Sequence, residues 1–355
     1  MPRLTLYPNG VVASQTQGRG NTAPRKRGSV TGWTAGAARR NDLFLRSIDF
    51  KAVEALGLFG YAATMTLPTA PPTAADFKKR LQRFLSYTVA SGAQLIHYVI
   101  EMQPRRNSPD GPVPHIHMVA FFPKHYGPQN QNPQSMLQGQ VLLFVYWNEA
   151  FSEYGPQITA QHIEAIHDLR GWSRYVAKHG ARSETHYQRL RGLLPAGWLK
   201  TGRVWGTKGD WPRYTEAVQL SYQAHYAFRR FATNLQLADV RKNIPKLRLR
   251  LADSANAAQR KQNQKLLDQT VNRRRYLKSR LKRNKLKIAR LVPVSDWVDL
   301  AILRRWLLGA CVEREVVDPW TGEVGRCWCL RGETVRPDPP FSAPFVATDM
   351  QGADV

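Results

Sequence analysis

Two histidines stand one residue apart in the apolar stretch "PHIHMVAFFP" at residues 114–123. Side chains alternate along a β-strand, so His115 and His117 point to the same face. Two imidazoles directed at one place can bind a metal ion or a phosphate, although histidines in a strand are at least as often structural. The spacing therefore defines a candidate site that needs further groups.

A carboxylate is available for this site from the preceding apolar segment. Glu101 lies near the end of "QLIHYVIEMQ" (94–103), and the connection that follows, 102–114, is rich in Pro, Gly, Asn and Asp, as a hairpin loop is. Adjacent antiparallel strands would bring Glu101 opposite the two imidazoles. Two imidazoles and one carboxylate suit a divalent cation with open positions for phosphate oxygens. The alternative is that Glu101 pairs with Arg105 or Arg106.

A second candidate group is "YVAKH", in which Tyr175 and Lys178 are three residues apart and share one face of a helix. The phenol has an ordinary pKa near 10 and is a poor nucleophile at neutral pH. A metal ion that polarises a phosphate, with a cation nearby, would make attack by the phenol feasible. The alternative is a tyrosine packed against the sheet and a lysine in solvent.

Apolar periodicity predicts the order β-α-β-β-α-β-α for the elements that carry these residues. This order is the split βαβ arrangement, an α+β fold in which an antiparallel sheet has helices on one face. The strands are expected at 58–67, 94–103, 114–122 and 156–168, and the helices at 74–90, 135–151 and 171–183, after an earlier helix at about 36–56.

The charge of the chain is strongly one-sided. The 355 residues include 52 Lys and Arg against 26 Asp and Glu, which gives +26 at neutral pH and a pI near 10.4. This balance favours an anionic polymer as partner, nucleic acid first and a membrane surface second. We expect no membrane-spanning helix and no signal peptide, and the cysteine usage described below makes a reducing cytoplasm the simplest compartment.

The three cysteines lie near one end of the sequence. Cys311, Cys327 and Cys329 are an odd number, which makes a poor disulfide framework. A zinc site that includes Cys327 and Cys329 would need four ligands with suitable spacing, and these are not visible. We therefore expect reduced thiols.

Composition divides the chain into four parts. Residues 1–30 are expected to be a mobile basic arm, 31–215 the domain that carries the candidate site, 216–335 a basic and mainly helical region, and 336–355 a loose tail. Within the third part, residues 241–290 hold eighteen Lys or Arg against two Asp.

Two basic clusters are candidates for DNA binding. One is Arg25, Lys26 and Arg27 in the arm, and the other is Arg273, Arg274 and Arg275 in the basic region. The second cluster lies on a segment with a narrow apolar seam formed by Leu277, Leu281, Ile288 and Leu291. The ordinary interpretation is a solvated helix docked by that seam, and the functional one is an element that contacts phosphates.

The motifs together resemble those of HUH endonucleases, in particular the replication initiators of filamentous phages and small rolling-circle plasmids. "PHIHMVAFF" resembles the His-hydrophobe-His motif, and Tyr175 with Lys178 matches the Tyr-x-x-Lys motif. "ATMTLP" (63–68) resembles the first motif of the initiator branch, and "IEMQ…PHIH" its Glu-x-Gln…Pro-His-x-His stretch. "RGSVTGWTAGAARRNDLF" and "GRVWG" resemble the flanks. The resemblance spans about residues 25–210.

The resemblance implies a fold and a set of roles. The fold is a βαββαβ HUH endonuclease core, similar to the RRM and ferredoxin-like folds. Glu101, His115 and His117 would bind Mg²⁺ or Mn²⁺, Tyr175 would be the nucleophile, and Lys178 would position DNA or handle a proton.

Two departures from the family pattern affect this assignment. The loop between Glu101 and His115 is longer than is common, and Gln103 is the nearest substitute as third ligand. Relatives often carry a second aromatic residue after the lysine, where this chain has His179, which favours a mechanism with one tyrosine.

The function implied is initiation of rolling-circle replication. The protein would bind single-stranded DNA at an origin hairpin, nick one strand to give a 5′-phosphotyrosine and a free 3′-hydroxyl, and later rejoin the ends. No Walker A sequence occurs in the chain, so ATP is not expected, and a host helicase and DNA polymerase are the expected partners.

Two other interpretations remain open from the sequence. One keeps the chemistry but makes the protein an HUH transposase or a relaxase. The other is a non-catalytic single-stranded nucleic-acid-binding protein, in which aromatic side chains on the sheet stack on bases.

Overall fold

The computed structural model describes residues 2–15, 32–103, 111–123, 133–166, 185–190, 192, 194–282, 300–317 and 324–333. The strands are β1 (Pro2–Tyr7), β2 (Gly10–Gln15), β3 (Leu58–Thr66), β4 (Leu95–Gln103), β5 (Val113–Pro123), β6 (His162–Ile166), β7 (Trp205–Lys208), β8 (Glu216–Gln219), β9 (Cys311–Val317) and β10 (Val324–Leu330). The α-helices are α1 (Ala35–Ser47), α2 (Phe50–Ala55), α3 (Ala74–Ala90), α4 (Pro133–Ala150), α5 (Tyr222–Ala252), α6 (Ala257–Lys282) and α7 (Leu300–Ala310).

The predicted α+β class with antiparallel sheets is confirmed. The largest sheet has five antiparallel strands in the order β6-β3-β5-β4-β7. Along the chain β3, α3, β4, β5, α4 and β6 follow one another, and α3 has the predicted bounds. The strand expected at 156–168 is shorter, because residues 158–160 form a 3₁₀ turn before β6 begins. The strand β7 was not predicted, because four residues are too few to display a period.

Helices α3 and α4 cover one face of this sheet. Helix α3 begins where the Thr73 hydroxyl accepts a hydrogen bond from the backbone N–H of Asp76, an N-cap contact. Its apolar residues recur at helical spacing, and Phe77 and Phe84 are fully buried against the sheet. Trp147 of α4 fills the same core and packs edge-on against Phe84. This face is therefore closed to any substrate.

Helices α1 and α2 pack on the opposite face. The sequence predicted one helix over residues 36–56, and this is wrong because the chain leaves the helical conformation at Ile48. The carboxylate of Asp49 caps the second helix by accepting hydrogen bonds from the N–H groups of Lys51 and Ala52. The break at Ile48 therefore divides the segment into α1 and α2.

Strand β7 pairs with the outer edge of β4. The turn that follows β7 requires glycine. Gly209 has φ +79°, and a Cβ atom there would lie 1.7 Å from the carbonyl oxygen of Gln94. After this turn Trp211 packs against Phe121 on the face that carries α1.

Residues 2–15 form a hairpin, so the expectation of a mobile arm over residues 1–30 is wrong for this part. Strand β1 pairs with β2 on one side and with β8 on the other. Leu4, Leu6 and Val11 are fully buried in a second core with Phe228 of α5 and Leu303 of α7. The leucines at alternate positions of "PRLTLY" indicate a strand, whereas the overall composition of residues 1–30 favours an arm. Residues 16–31 lie outside the described part of the chain.

Helices α5 and α6 form a long antiparallel hairpin. Leu277 is 1% exposed and packs against Leu237, Val240 and Ile244 of α5, with Leu281 at the edge of the contact. Part of the predicted seam therefore docks α6 on α5. Ile288, Leu291 and the tail 336–355 lie outside the described residues.

None of the helices in the described ranges is long and apolar enough to cross a bilayer. The three cysteines are buried and free. Burial raises the pKa of Cys311 to about 11 and that of Cys327 to about 12, so these thiols are protonated and unreactive at neutral pH.

Candidate metal centre

The register of three neighbouring strands brings the predicted triad together. In the β4–β5 pair Glu101 lies directly opposite His115, and in the β3–β5 pair Thr64 lies opposite His117. One ligand atom from each of Glu101, His115 and His117 lies within 4.8 Å of the others, the one such group found among the described residues. Gln103, the substitute considered for Glu101, lies opposite Val113 instead.

The three side chains lie on the sheet face opposite α3 and α4. Nε2 of His115 is 3.1 Å from Nε2 of His117, which in turn is 3.6 Å from Oε2 of Glu101. The Glu101 side chain is inaccessible to water, whereas 15% of the His117 side chain is exposed. The group is therefore open to solvent on the side of His117.

Thr64 orients His117. Its Oγ1 lies 2.9 Å from Nδ1 of the imidazole. When Nδ1–H donates to this hydroxyl, the lone pair is on Nε2, the atom that faces His115 and Glu101. Histidines that bind metals commonly use their second ring nitrogen in this way.

Arg189 neutralises the buried carboxylate. Its Nε and Nη2 both donate to Oε1 of Glu101 at 2.8 Å, and neither side chain is exposed. The guanidinium also stacks on Trp33, with Cζ 3.7 Å from the ring centroid. Glu101 is thus charged and fixed in a position from which water is excluded.

The donor set fits a divalent cation. Two nitrogen ligands at a right angle, each about 2.1 Å from a cation, are about 3.0 Å apart, close to the separation of the two Nε2 atoms. Two imidazoles and a carboxylate on one face leave the other coordination positions open.

The predicted nucleophile and the first basic cluster fall outside the described residues. Tyr175 and Lys178 lie in residues 167–184, and Arg25, Lys26 and Arg27 lie in residues 16–31, both outside the described part of the chain.

The second basic cluster lies on α6. Arg273 and Arg275 are exposed, and Arg274 is half-buried. They share the helix with Leu277, which docks it on α5. The exposed arginines are thus held on a packed helical hairpin.

Sequence reasoning missed Arg189, Trp33 and Thr64. Arg189 is 88 residues from its partner Glu101, and no local spacing connects them. Thr64 carried a usable signal, because it lies in the motif "ATMTLP" and at an alternate position of a strand.

Three named proteins are similar in sequence to this chain. Two are from Xylella fastidiosa and are provisionally named as replication proteins. The protein from strain 9a5c is 34% identical over 269 residues, which cover 71% of this chain and 85% of the relative. The protein from strain Temecula1 / ATCC 700964 is 32% identical over 268 residues, which cover 71% of this chain and 91% of the relative. The third, the replication-associated protein of Pseudomonas phage Pf3, is 34% identical over 217 residues, covering 61% of this chain and 72% of the relative.

No protein-family model matches the chain, and no solved structure matches it. The identity to the relatives exceeds 30% over more than two thirds of each of them. The chain therefore belongs to the family of replication proteins that contains these phage and bacterial relatives.

Proposed function

We propose that this protein initiates rolling-circle replication by nicking one DNA strand at an origin. The observation that carries the proposal is the convergence of Glu101, His115 and His117 on adjacent strands, with ligand atoms within 4.8 Å. The names of the relatives, as replication and replication-associated proteins, support the biological role. The resemblance to HUH endonucleases supports the chemistry.

Tyr175 is the proposed nucleophile, with Lys178 beside it. The stretch that carries both residues starts after Ile166 on β6 and ends before the segment in which Arg189 contacts Glu101. Both flanks of the stretch are thus attached to the sheet that carries the triad. This connection supports the proposal that Tyr175 and Lys178 act near the triad.

The proposed reaction is a transesterification. The phenol oxygen of Tyr175 attacks the scissile phosphorus and loses its proton, the bond from phosphorus to the 3′-oxygen breaks, and that oxygen leaves as a protonated 3′-hydroxyl. The products are a 5′-phosphotyrosine and a free 3′-end. Bound Mg²⁺ or Mn²⁺ at Glu101, His115 and His117 would supply Lewis-acid polarisation of the phosphate.

No external energy source is required. The phosphotyrosine conserves the phosphodiester bond energy, so a later attack by a 3′-hydroxyl can expel Tyr175 and rejoin the strand. A host polymerase would extend the free 3′-end, and a host helicase would separate the strands, since the chain has no Walker A sequence.

The α5–α6 hairpin is the proposed phosphate-binding region. Residues 222–282 contain sixteen Lys or Arg against Asp239, Asp253 and Asp268. This composition favours the phosphate backbone of DNA as the ligand. We assign nicking to residues 31–215 and DNA retention to the α5–α6 hairpin, residues 222–282, within the region from 216 to 335.

A covalent adduct tests the proposal. Full-length protein is incubated with Mn²⁺ and a single-stranded oligonucleotide, labelled 3′ of the nick site, that contains the origin hairpin. We expect a labelled protein band on a denaturing gel, which EDTA prevents and Tyr175→Phe abolishes.

The control is Tyr187→Phe, which changes an exposed tyrosine (59% exposed) outside the family motif and should form the adduct normally. An adduct that persists in Tyr175→Phe would contradict the choice of nucleophile. The absence of any adduct, together with tight binding of the oligonucleotide, would instead favour a non-catalytic DNA-binding protein.

A further inference from the structure

We propose that Arg189 is a positioning residue of the metal centre, whose guanidinium holds the Glu101 carboxylate so that Oε2 faces the imidazole of His117. The inference rests on the proposed function, because it takes Glu101 as a metal ligand. It assigns a role to a residue that no sequence motif indicates.

The two oxygens of Glu101 have different neighbours. Oε1 accepts hydrogen bonds from both Nε and Nη2 of Arg189 at 2.8 Å. Oε2 is the oxygen that lies 3.6 Å from Nε2 of His117. Because the guanidinium is planar and its two donors are fixed relative to each other, the contact determines the rotation of the carboxylate as well as its charge.

Arg189 is itself held on two sides. Its guanidinium stacks on Trp33, and the Trp33 indole N–H donates to the carbonyl oxygen of Ile100 at 2.7 Å. On the other side the carbonyl oxygen of Gln188 accepts from the backbone N–H of Met102 at 3.0 Å. These contacts attach the arginine to the strand residues immediately before and after Glu101.

A role for Arg189 in charge balance alone would have the opposite effect on metal binding from a role in positioning. If the arginine only balanced the charge of Glu101, it would compete with the cation, and its removal would strengthen binding by removing a positive charge. If it positions the carboxylate, its removal weakens binding. The sign of the change in affinity therefore separates the two roles.

The experiment measures Mn²⁺ affinity without DNA, on full-length protein, from the EPR signal of free Mn²⁺. For Arg189→Met, which keeps side-chain length but no donor, we expect affinity to fall about 10- to 100-fold, the usual effect of removing a partner of a metal ligand. Arg189→Lys restores the charge but not the paired donors, and should bind with intermediate affinity.

The matched control is Arg46→Met. Arg46 is another buried arginine, 1% exposed, and pairs with Asp42 on α1 at 2.9 Å. Its loss removes the ion pair of another buried arginine, here with a partly exposed aspartate, and should leave Mn²⁺ affinity unchanged. Thermal melting of each variant, monitored by circular dichroism, reports whether the variant is folded.

Two results would overturn the role of Arg189. One is unchanged or tighter Mn²⁺ binding by folded Arg189→Met, and the other is full recovery of wild-type affinity by Arg189→Lys. If Arg189→Met does not fold, the comparison of Arg189→Lys with wild type decides alone.

Failure of the proposed function has a different signature. Pulsed EPR of Mn²⁺ bound to the wild type should show coupling to imidazole nitrogen, and this coupling should weaken in His117→Ala. A wild type that binds no nitrogen-coordinated Mn²⁺ would refute the metal centre itself. A wild type that binds it, with Arg189 variants that are unaffected, would refute only the positioning role.

Discussion

Glu101 is a charged side chain in a position that water does not reach, and its partner Arg189 comes from a distant part of the sequence. A buried carboxylate without such a partner would be costly, and removal of either member leaves the other charge uncompensated. The triad is therefore built on an ion pair, and its three potential ligands differ in access, with His117 the most exposed. His117 is the member at which a substitution disturbs the surrounding core least.

Replacing His117 with alanine should separate cleavage from binding. We expect His117→Ala to abolish formation of the covalent adduct and to leave most DNA affinity, because the basic α5–α6 hairpin is elsewhere in the chain. The adduct is measured on a denaturing gel and the affinity by fluorescence anisotropy. A comparable loss of both would show that the imidazole contributes to holding DNA.

At the level of elements, α1 is fixed to the sheet through a buried histidine. Nε2 of His97 on β4 lies 2.8 Å from Oδ1 of Asn41, and the ring stacks on Phe44 with centroids 5.5 Å apart. Burial lowers the pKa of His97 to about 3, so the imidazole is neutral in the folded protein. In the unfolded chain its pKa returns to near 6.5.

This difference predicts a pH dependence of stability. Below pH 6.5 the unfolded state takes up a proton that the folded state does not, so stability is lost as the pH falls from 6.5 towards 3. At pH 4.5 the loss is about 2–3 kcal/mol. His97→Gln cannot titrate, so its free energy of unfolding should fall by about that much less than that of wild type between pH 7 and pH 4.5.

Urea denaturation at the two pH values measures this effect. His225, whose pKa burial also lowers to about 4, is present in both proteins, and its contribution cancels. An equal decrease in wild type and His97→Gln would mean that His97 becomes protonated without unfolding.

The α5–α6 hairpin depends on few apolar contacts. Leu277 is 1% exposed, whereas the adjacent Tyr276 is 56% exposed on the outer side of the same helix. We expect Leu277→Ala to destabilise the hairpin by about 2–5 kcal/mol and Tyr276→Ala by less than about 0.5 kcal/mol. Hydrogen exchange of the α6 amides measures both, and similar protection in the two variants would contradict the docking role of the seam.

For the whole molecule, the charge is concentrated in one region. The hairpin residues 222–282 have an excess of thirteen positive charges, half of the total of +26. Charge of one sign on packed helices repels itself and is relieved when an anionic polymer binds. The hairpin is therefore expected to dominate the salt dependence of DNA binding.

Neutralising two exposed arginines tests this expectation. In Arg273→Gln/Arg275→Gln the slope of log affinity against log salt should decrease by up to about 1.8 for duplex DNA, since each phosphate contact contributes about 0.9. The control, Arg305→Gln/Arg326→Gln, removes two exposed arginines on α7 and β10 and should keep the wild-type slope. If the slopes of both variants equal that of wild type, α6 does not contact phosphates.

Local patterns were sufficient for β3, β4 and β5 and for the two helices that cover the sheet, but not for the short strand β7. The α3 region could be predicted because apolar spacing and the Thr73 cap agree, and β4 and β5 because their apolar runs end in turn residues. The convergence of Glu101 with the histidines followed from the hairpin between these strands. Arg189 and Trp33 could not be predicted, since their contacts depend on how distant segments pack.

The pairing of β1 with β8 has a consequence for how the protein is made. Residues 3–6 find their partner strand in residues 216–219, more than 200 residues later. At about 5–20 residues per second, a ribosome needs roughly 10–40 s to synthesise that interval. During this time Leu4 and Leu6 lack Phe228 and Leu303 of their core, so we expect that core to form only after translation has passed Leu303.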